Sequence, residues 1–284
     1  MTNLPPKSEM RAAINTYCQE RGLSKADLAT RLGVSGATLS QIEREKWDDI
    51  SEKMWLKIWQ EVGRAVETTV LLETANLATV QTMCEQTRAN RLMVGLLGDT
   101  GLGKTTALEY YARRPRVYYV AYDKTMRPKH FFAALLQELG VSFSGPVHEL
   151  VGRVADELNS KASPLLIIDE AGKLTHQMYL FLHVLRERTK RNCGIVLAGM
   201  PYFRANLLKD VNRQKEGAAE FFRRINVWQE LARPTKAEIK AVCAAHGETD
   251  AEAVRAMQRH QDFGNLTNAL LLAKLETENL VSQD

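Results

Sequence analysis

Residues 98–105 read Gly98-Asp99-Thr100-Gly101-Leu102-Gly103-Lys104-Thr105, a full G-x-x-x-x-G-K-[ST] pattern, and the apolar run Leu165-Leu166-Ile167-Ile168 ends in Asp169-Glu170. Glycines at this spacing let backbone N–H groups turn inward around phosphates, the lysine sets a point charge against the β and γ oxygens, and the following hydroxyl ligates Mg²⁺. Gly98 through Thr106 are therefore the expected nucleotide-binding residues, with Lys104 gripping phosphate and Thr105 a metal ligand. A buried strand ending in paired carboxylates supplies the rest: Asp169 beside the nucleotide and metal, and Glu170 to orient or deprotonate an attacking water. The chemistry such residues could do is Mg²⁺-dependent hydrolysis of ATP.

These side chains work only if particular elements position them. The loop follows a strand-like Leu92–Leu97 and opens a helix-like Thr105–Arg113, the context a phosphate loop requires. From residue 91 onward, strands (92–97, 117–121, 165–168, 195–198) alternate with helices (104–113, 128–139, 147–159, 177–189), which predicts an α/β fold with a parallel sheet and right-handed crossovers. Beyond Pro234 the pattern is purely helical, at 236–245, 251–259 and 266–276, and predicts a small acidic lid. Residues 50–90 look helical, with Trp55, Ile58, Trp59, Val62 and Val66 forming an ordinary packing stripe and Thr82–Asn90 approaching the adenine side of the nucleotide. Four units result: 1–50, a helical linker and nucleotide-access segment at 51–90, a P-loop core at 91–233 and the lid at 234–284.

The first unit resembles a helix-turn-helix of the phage-repressor type. Leu28, Ala29, Leu32, Val34, Leu39 and Ile42 are spaced to face inward, Ser24 and Ser35 stand at helix N-caps, and Gly33 occupies the turn. Ser35, Gly36, Ala37, Thr38, Ser40 and Gln41 would then face a major groove, with Arg44 and Lys46 near phosphates. A helical module for protein contacts is the competing reading, because residues 1–50 carry no net charge.

Charge locates the polyanion footprint elsewhere. The net +4 of the chain arises from +8 in residues 91–233, against −1 in 51–90 and −3 in 234–284, so a nonspecific DNA contact belongs on the core. Cys18, Cys84, Cys193 and Cys243 form no C-x-x-C pair, which excludes a zinc knuckle or disulfide framework and suits a reducing cytoplasm. His176 and His183 could share a helix face but lack a third ligand, so no zinc site is expected. No apolar signal core or stretch of about 18 apolar residues appears, so no membrane partner is expected.

The P-loop, the Asp-Glu strand, the basic Phe221-Phe222-Arg223-Arg224 and the helical lid together resemble the AAA+ ATPases. With a helix-turn-helix ahead, Val70-Leu71-Leu72-Glu73-Thr74 leading in and a strand ending Leu197-Ala198-Gly199, the chain is similar to the group of the phage Mu B transposition protein, TnsC and the insertion-sequence helper ATPases. That resemblance implies an ATPase that assembles as a filament or ring on double-stranded DNA in the bacterial cytoplasm or nucleoid, selects target DNA and activates a DDE transposase. It carries the P-loop roles onto Lys104 and Thr105 and the acidic pair onto Asp169 and Glu170. It also makes Arg224, or alternatively Arg223, the arginine that enters a neighbouring subunit's site. The loop 123–130, with Lys124, Arg127 and Lys129, matches the position that touches DNA backbone in such relatives. Arg186, Arg188, Lys190 and Arg191 form a second basic group, which Glu187 interrupts and which reads equally as a solvated helix end. Two positions depart from the pattern: Met200 stands where a polar phosphate sensor is expected, and Thr267 where a second sensing arginine is common. Both imply slow or partner-dependent hydrolysis. A helicase loader or replication initiator, and a helix-turn-helix transcription regulator with an ATPase module, are the alternative functions.

Overall fold

Four runs that are apolar at nearly every position become strands: β1 (Met93–Leu97), β2 (Val117–Ala121), β3 (Leu165–Asp169) and β4 (Gly194–Gly199). Strands covered by helices on both faces read as continuous hydrophobic runs, which is why these were legible without alternation. The computed structural model describes residues 7–21, 23–46, 50–62 and 72–281. It adds a fifth strand the sequence did not announce, β5 (Val227–Glu230), short and half-exposed at the sheet edge. The order is β2-β3-β4-β1-β5, with every pairing parallel.

Ahead of the sheet lie α1 (Lys7–Arg21), α2 (Lys25–Leu32), α3 (Gly36–Glu43) and α4 (Glu52–Val62). Ser24 caps α2 reciprocally, its hydroxyl accepting from Asp27 N and the Asp27 carboxylate accepting from Ser24 N, both at 3.1 Å. Gly33 follows at φ 59°, where a side chain would be strained, and Ser35 caps α3. Helix α4 is not a linker: Trp55, Ile58 and Val62 bury into the cluster formed by Met10, Tyr17, Leu28 and Ile42. Val66 and Val70-Leu71 lie outside the described residues.

The core helices are α5 (Ala75–Asn90), α6 (Lys104–Tyr111), α7 (Pro128–Glu138), α8 (Val147–Ser160), α9 (His176–Thr189), α10 (Tyr202–Asn212) and α11 (Ala218–Arg224). Alternate strand residues divide the packing. Leu166, Ile168, Ile195 and Leu197 pack with α7 to α11, whereas Val94, Leu96, Leu165, Ile167 and Val196 pack with α5 and α6. The helix-turn-helix unit rests on this core through α2: Arg31 ion-pairs with Glu138 of α7, and Gln137 Nε2 donates to Arg31 O at 2.7 Å. Gly140, at φ 78°, lets the chain pass beneath Asp27, whose Cβ would stand 2.9 Å from any added Cβ. The lid comprises α12 (Lys236–Ala245), α13 (Ala251–Met257) and α14 (Phe263–Val281), closed over Ile239, Val242, Cys243 and Leu266. Among the described residues no helix is long and apolar enough to cross a membrane, and all four cysteines are buried as free thiols.

One packing constraint is sharp. Gly95 sits opposite Trp228 in the β1–β5 pair, and a Cβ there would fall 2.3 Å from the indole Cε3. Gly95→Ala should therefore destabilise the core by about 1–3 kcal/mol through overpacking, and calorimetry should show a melting point lowered by about 2–4 °C for each kcal/mol.

Candidate nucleotide-binding site

The phosphate loop links the end of β1 to α6, and its backbone is shaped by glycine. Gly101 and Gly103 adopt φ of 81° and 83°, leaving the N-terminus of α6 open, where unpaired N–H groups and the helix dipole favour an anion. Lys104 Nζ donates to Gly98 O at 2.6 Å and Asp99 O at 2.8 Å, folded back over the loop. Burial lowers the Lys104 pKa, while the facing carboxylates of Asp169, Glu170 and Asp99 oppose that shift.

Asp169 closes the other wall. It is 2% exposed, its Oδ2 accepts from Thr105 Oγ1 at 2.7 Å and Tyr119 OH at 3.0 Å, and its Oδ1 accepts from Glu170 N at 2.7 Å. A hydroxyl and a buried carboxylate in contact make a hard oxygen donor pair, which fits Mg²⁺. Glu170 takes a left-handed φ of 57°, uncommon for a non-glycine residue, and pairs with Lys173 at 3.3 Å. Thr100, Gly101, Gly103 to Thr106, Asp169, Glu170, Gly199 and Met200 enclose a cavity of about 200 Å³. Met200 thus lines the phosphate cavity, and its Sδ lies 3.7 Å from Thr100 Oγ1.

A second, more apolar cavity of about 280 Å³ shares Gly103 and Thr106 with the first. Leu72, Thr74, Asn76 and Leu77 form one side, and Val242, His246, Phe263 and Thr267 of the lid form another. Its size and composition suit a nucleobase. The N-terminal end of α5 lines this cavity, whereas Thr82, Met83, Gln86 and Thr87 border a separate groove beside Val227. Thr267 spends its hydroxyl within α14, donating to Phe263 O and Gly264 O.

Two residues that the sequence reading passed over hold these parts together. Buried Asn76 donates to Leu102 O at 3.1 Å and Ala232 O at 2.8 Å and accepts from Ala232 N at 3.1 Å, joining the phosphate loop to the approach to the lid. Asp262 caps α14, and Phe263 N and Gly264 N donate to Gly101 O at 2.9 and 3.3 Å. The signal for Asn76 was present in Thr74, a good N-cap two residues ahead.

The basic residues separate into distinct places. Lys124 and Arg127 are exposed on the loop between β2 and α7, and Lys129 is exposed in the first turn of α7; the loop's frame is set by Tyr122 OH donating to Met126 O and by Asp123 accepting from Thr125. Arg186 is not a surface cation: it is buried and donates to Cys193 O at 3.0 Å and Arg91 O at 2.7 Å. Arg188 and Arg191 are exposed, and Lys190 pairs with Glu187 at 2.6 Å. Arg223 is exposed at the end of α11, while Arg224 forms an ion pair with Glu187 at 2.5 Å without the alignment of a hydrogen bond. On α3, Thr38 is buried against the Ser35 hydroxyl at 2.8 Å and cannot face a groove; Ser35, Gly36, Ala37 and Ser40 are exposed and Gln41 half-buried. Among the described residues no cluster of metal-ligating side chains includes His176 or His183.

Residues 87–207 match the family described as an AAA domain, and residues 2–70 match one described as a helix-turn-helix domain. The chain is 24% identical over 267 residues to the Mu-like prophage FluMu DNA transposition protein B of Haemophilus influenzae, spanning 88% of this chain and 90% of that protein. It is 25% identical over 287 residues to the ATP-dependent target DNA activator B of Escherichia phage Mu, spanning 94% and 88%. These matches bear out the resemblance drawn from the motifs. Among solved structures, the Aeropyrum pernix ORC1 protein in complex with DNA superposes with a TM-score of 0.57 at 16% identity, over 75% of this chain and 63% of that one. That likeness concerns the fold, an AAA-type core with a parallel five-stranded sheet.

Lys104→Ala removes the cation that lines the phosphate cavity. Contacts of a charged donor contribute about 1.5–3 kcal/mol, so fluorescent-ATP titration should show affinity reduced about tenfold or more while the melting point without nucleotide changes little.

Proposed function

We propose that this chain is an ATP-dependent DNA-binding ATPase of DNA transposition, which selects target DNA largely without regard to sequence and activates a DDE transposase. The observation that carries this reading is the joining of a complete phosphate cavity to a helix-turn-helix unit in a chain similar over most of its length to proteins named for DNA transposition and target DNA activation.

In this reading Lys104 and the loop N–H groups bind the ATP phosphates, and Thr105 with Asp169 holds Mg²⁺, which when bound offsets charge on the β and γ oxygens. Glu170, at the mouth of the same cavity, takes the proton of the attacking water. A thioether at Met200 donates no proton to the γ-phosphate, and Thr267 has its hydroxyl occupied within α14. Hydrolysis is accordingly slow in the isolated chain and is raised by DNA, self-assembly or the transposase.

Arg223 and Arg224 serve a neighbouring copy. They precede β5, whose first residue pairs with Val94 near the start of β1, whereas the phosphate loop leaves the end of β1. Strands rise about 3.3 Å per residue, so about 15 Å of sheet separates these arginines from their own site. Arg223 is free to reach outward, and Arg224 does so by leaving Glu187. DNA runs along Lys124, Arg127 and Lys129, which offer charge without a base-reading surface.

Three measurements test the reading. Glu170→Gln should retain ATP affinity and accumulate protein on DNA, because the water is no longer activated; equal loss of nucleotide binding would remove Glu170 from that role. Arg223→Ala and Arg224→Ala, assayed for hydrolysis against protein concentration, should keep monomer ATP binding, and the variant that abolishes the cooperative rise identifies the arginine acting in trans. Replacing Lys124 and Arg127 together with alanine should weaken binding to unrelated duplexes alike and flatten the slope of log K against log salt by about 2, at about 0.9 per phosphate. Normal binding by that variant would move the DNA contact to α3.

A further inference from the structure

Tyr119 lies in the middle of β2, on the face that packs against α5 and α6, and pairs in register with Ile167, two residues before Asp169. Its ring fills apolar space beside Ile167, a task that phenylalanine would serve equally. Its hydroxyl has a separate destination, Asp169 Oδ2 at 3.0 Å. That oxygen also accepts from Thr105 Oγ1, while Oδ1 is held by Glu170 N. Three donors from three elements therefore fix one carboxylate: the strand end, the phosphate-loop helix and the neighbouring strand.

We propose that Tyr119 is a positioning residue for the nucleotide site, its hydroxyl holding the Asp169 carboxylate in the orientation that Thr105 and Mg²⁺ require. The inference rests on the nucleotide-binding reading above. The Glu170 N–H restrains only Oδ1, and the Thr105 hydroxyl belongs to the first turn of α6. Tyr119 is the lateral support that belongs to the sheet.

Tyr119→Phe removes the donor and keeps the ring. Fluorescent-ATP titrations of wild type and variant, each with excess MgCl₂ and with EDTA, separate the possible roles. Wild type should bind more tightly with Mg²⁺; absence of that difference in wild type would count against the nucleotide reading itself. Given the difference, Tyr119→Phe should retain wild-type affinity in EDTA and lose about tenfold of the Mg²⁺ enhancement, the magnitude of one hydrogen bond to a charged group. In an Asp169→Ala background the same replacement should change nothing further, because the supported group is gone. Two outcomes overturn the proposal. One is an unchanged Mg²⁺ enhancement; the other is an equal loss with and without Mg²⁺, which a packing role or a folding defect would produce.

Discussion

The hydrogen bond between Thr105 and Asp169 joins the first turn of α6, which follows β1, to the end of β3, a strand not adjacent to β1 in the sheet. β1 delivers the phosphate loop and β3 delivers the acidic pair, with β4 between them. The right-handed crossover from β1 to β2 carries α6 over β4 and β3, which sets the N-terminus of α6 above the end of β3. Register completes the match: Leu97 pairs with Gly199 and Ile168 with Leu197, so the strand ends rise to nearly one level. Because side chains alternate faces, a one-residue slip of β3 would turn Asp169 away from Thr105 and exchange the side chains packed against the two helical layers. Core packing and site geometry are thus enforced by the same register.

The lid is tied to that centre by backbone groups rather than by an arginine. Gly101 O accepts from the first N–H groups of α14, and Glu238 of α12 accepts from Ala75 N at 2.8 Å at the start of α5. Asn76 then closes the circuit between Leu102 and Ala232. A side chain on Gly101 would meet Asp262, so this contact requires glycine for its space as well as its φ. The more apolar cavity is formed by α5 on one side and the lid on another, so a ligand filling it would contact both. Occupancy can bias lid position only as far as the ligand binds one arrangement better.

Much of this was legible in the sequence because it is written in short-range patterns. Strands β1 to β4 are runs of buried apolar residues, the caps at Ser24, Ser35 and Gly33 are local chemistry, and the phosphate loop is a contiguous motif. What escaped detection depends on distant neighbours. β5 has only four residues, and its edge position leaves no continuous apolar run. α4 looked like a linker because its partners, Tyr17 and Leu28, lie in other helices. Arg186 looked like surface charge, and only the fold brings the carbonyls of Arg91 and Cys193 to it. Thr38 was assigned to a groove-facing set by helical spacing, yet its hydroxyl turns to its own cap residue. Tyr119 reads as one more apolar strand residue until β3 is placed beside it.

The same sheet bears on how copies of the chain would meet. An arginine at the amino edge of the sheet and a phosphate cavity at the carboxyl edge cannot satisfy each other within one molecule. On the proposed reading, the contact is therefore heterologous, one edge against the opposite edge of the next copy. Such contacts generate a ring when the rotation closes and a helical filament when it does not. An isologous dimer would join arginine and cavity only through an interface that includes both edges of each copy. The Arg224–Glu187 pair adds a cost to the encounter, because Glu187 must give up its partner before the guanidinium can serve elsewhere. Lys190 also pairs with Glu187, so that carboxylate retains a cation after Arg224 leaves. The exchange would replace one half-buried ion pair with a contact to a phosphate of greater charge. On the proposed reading, nucleotide in the neighbouring site would make the exchange favourable, so that assembly would follow ATP.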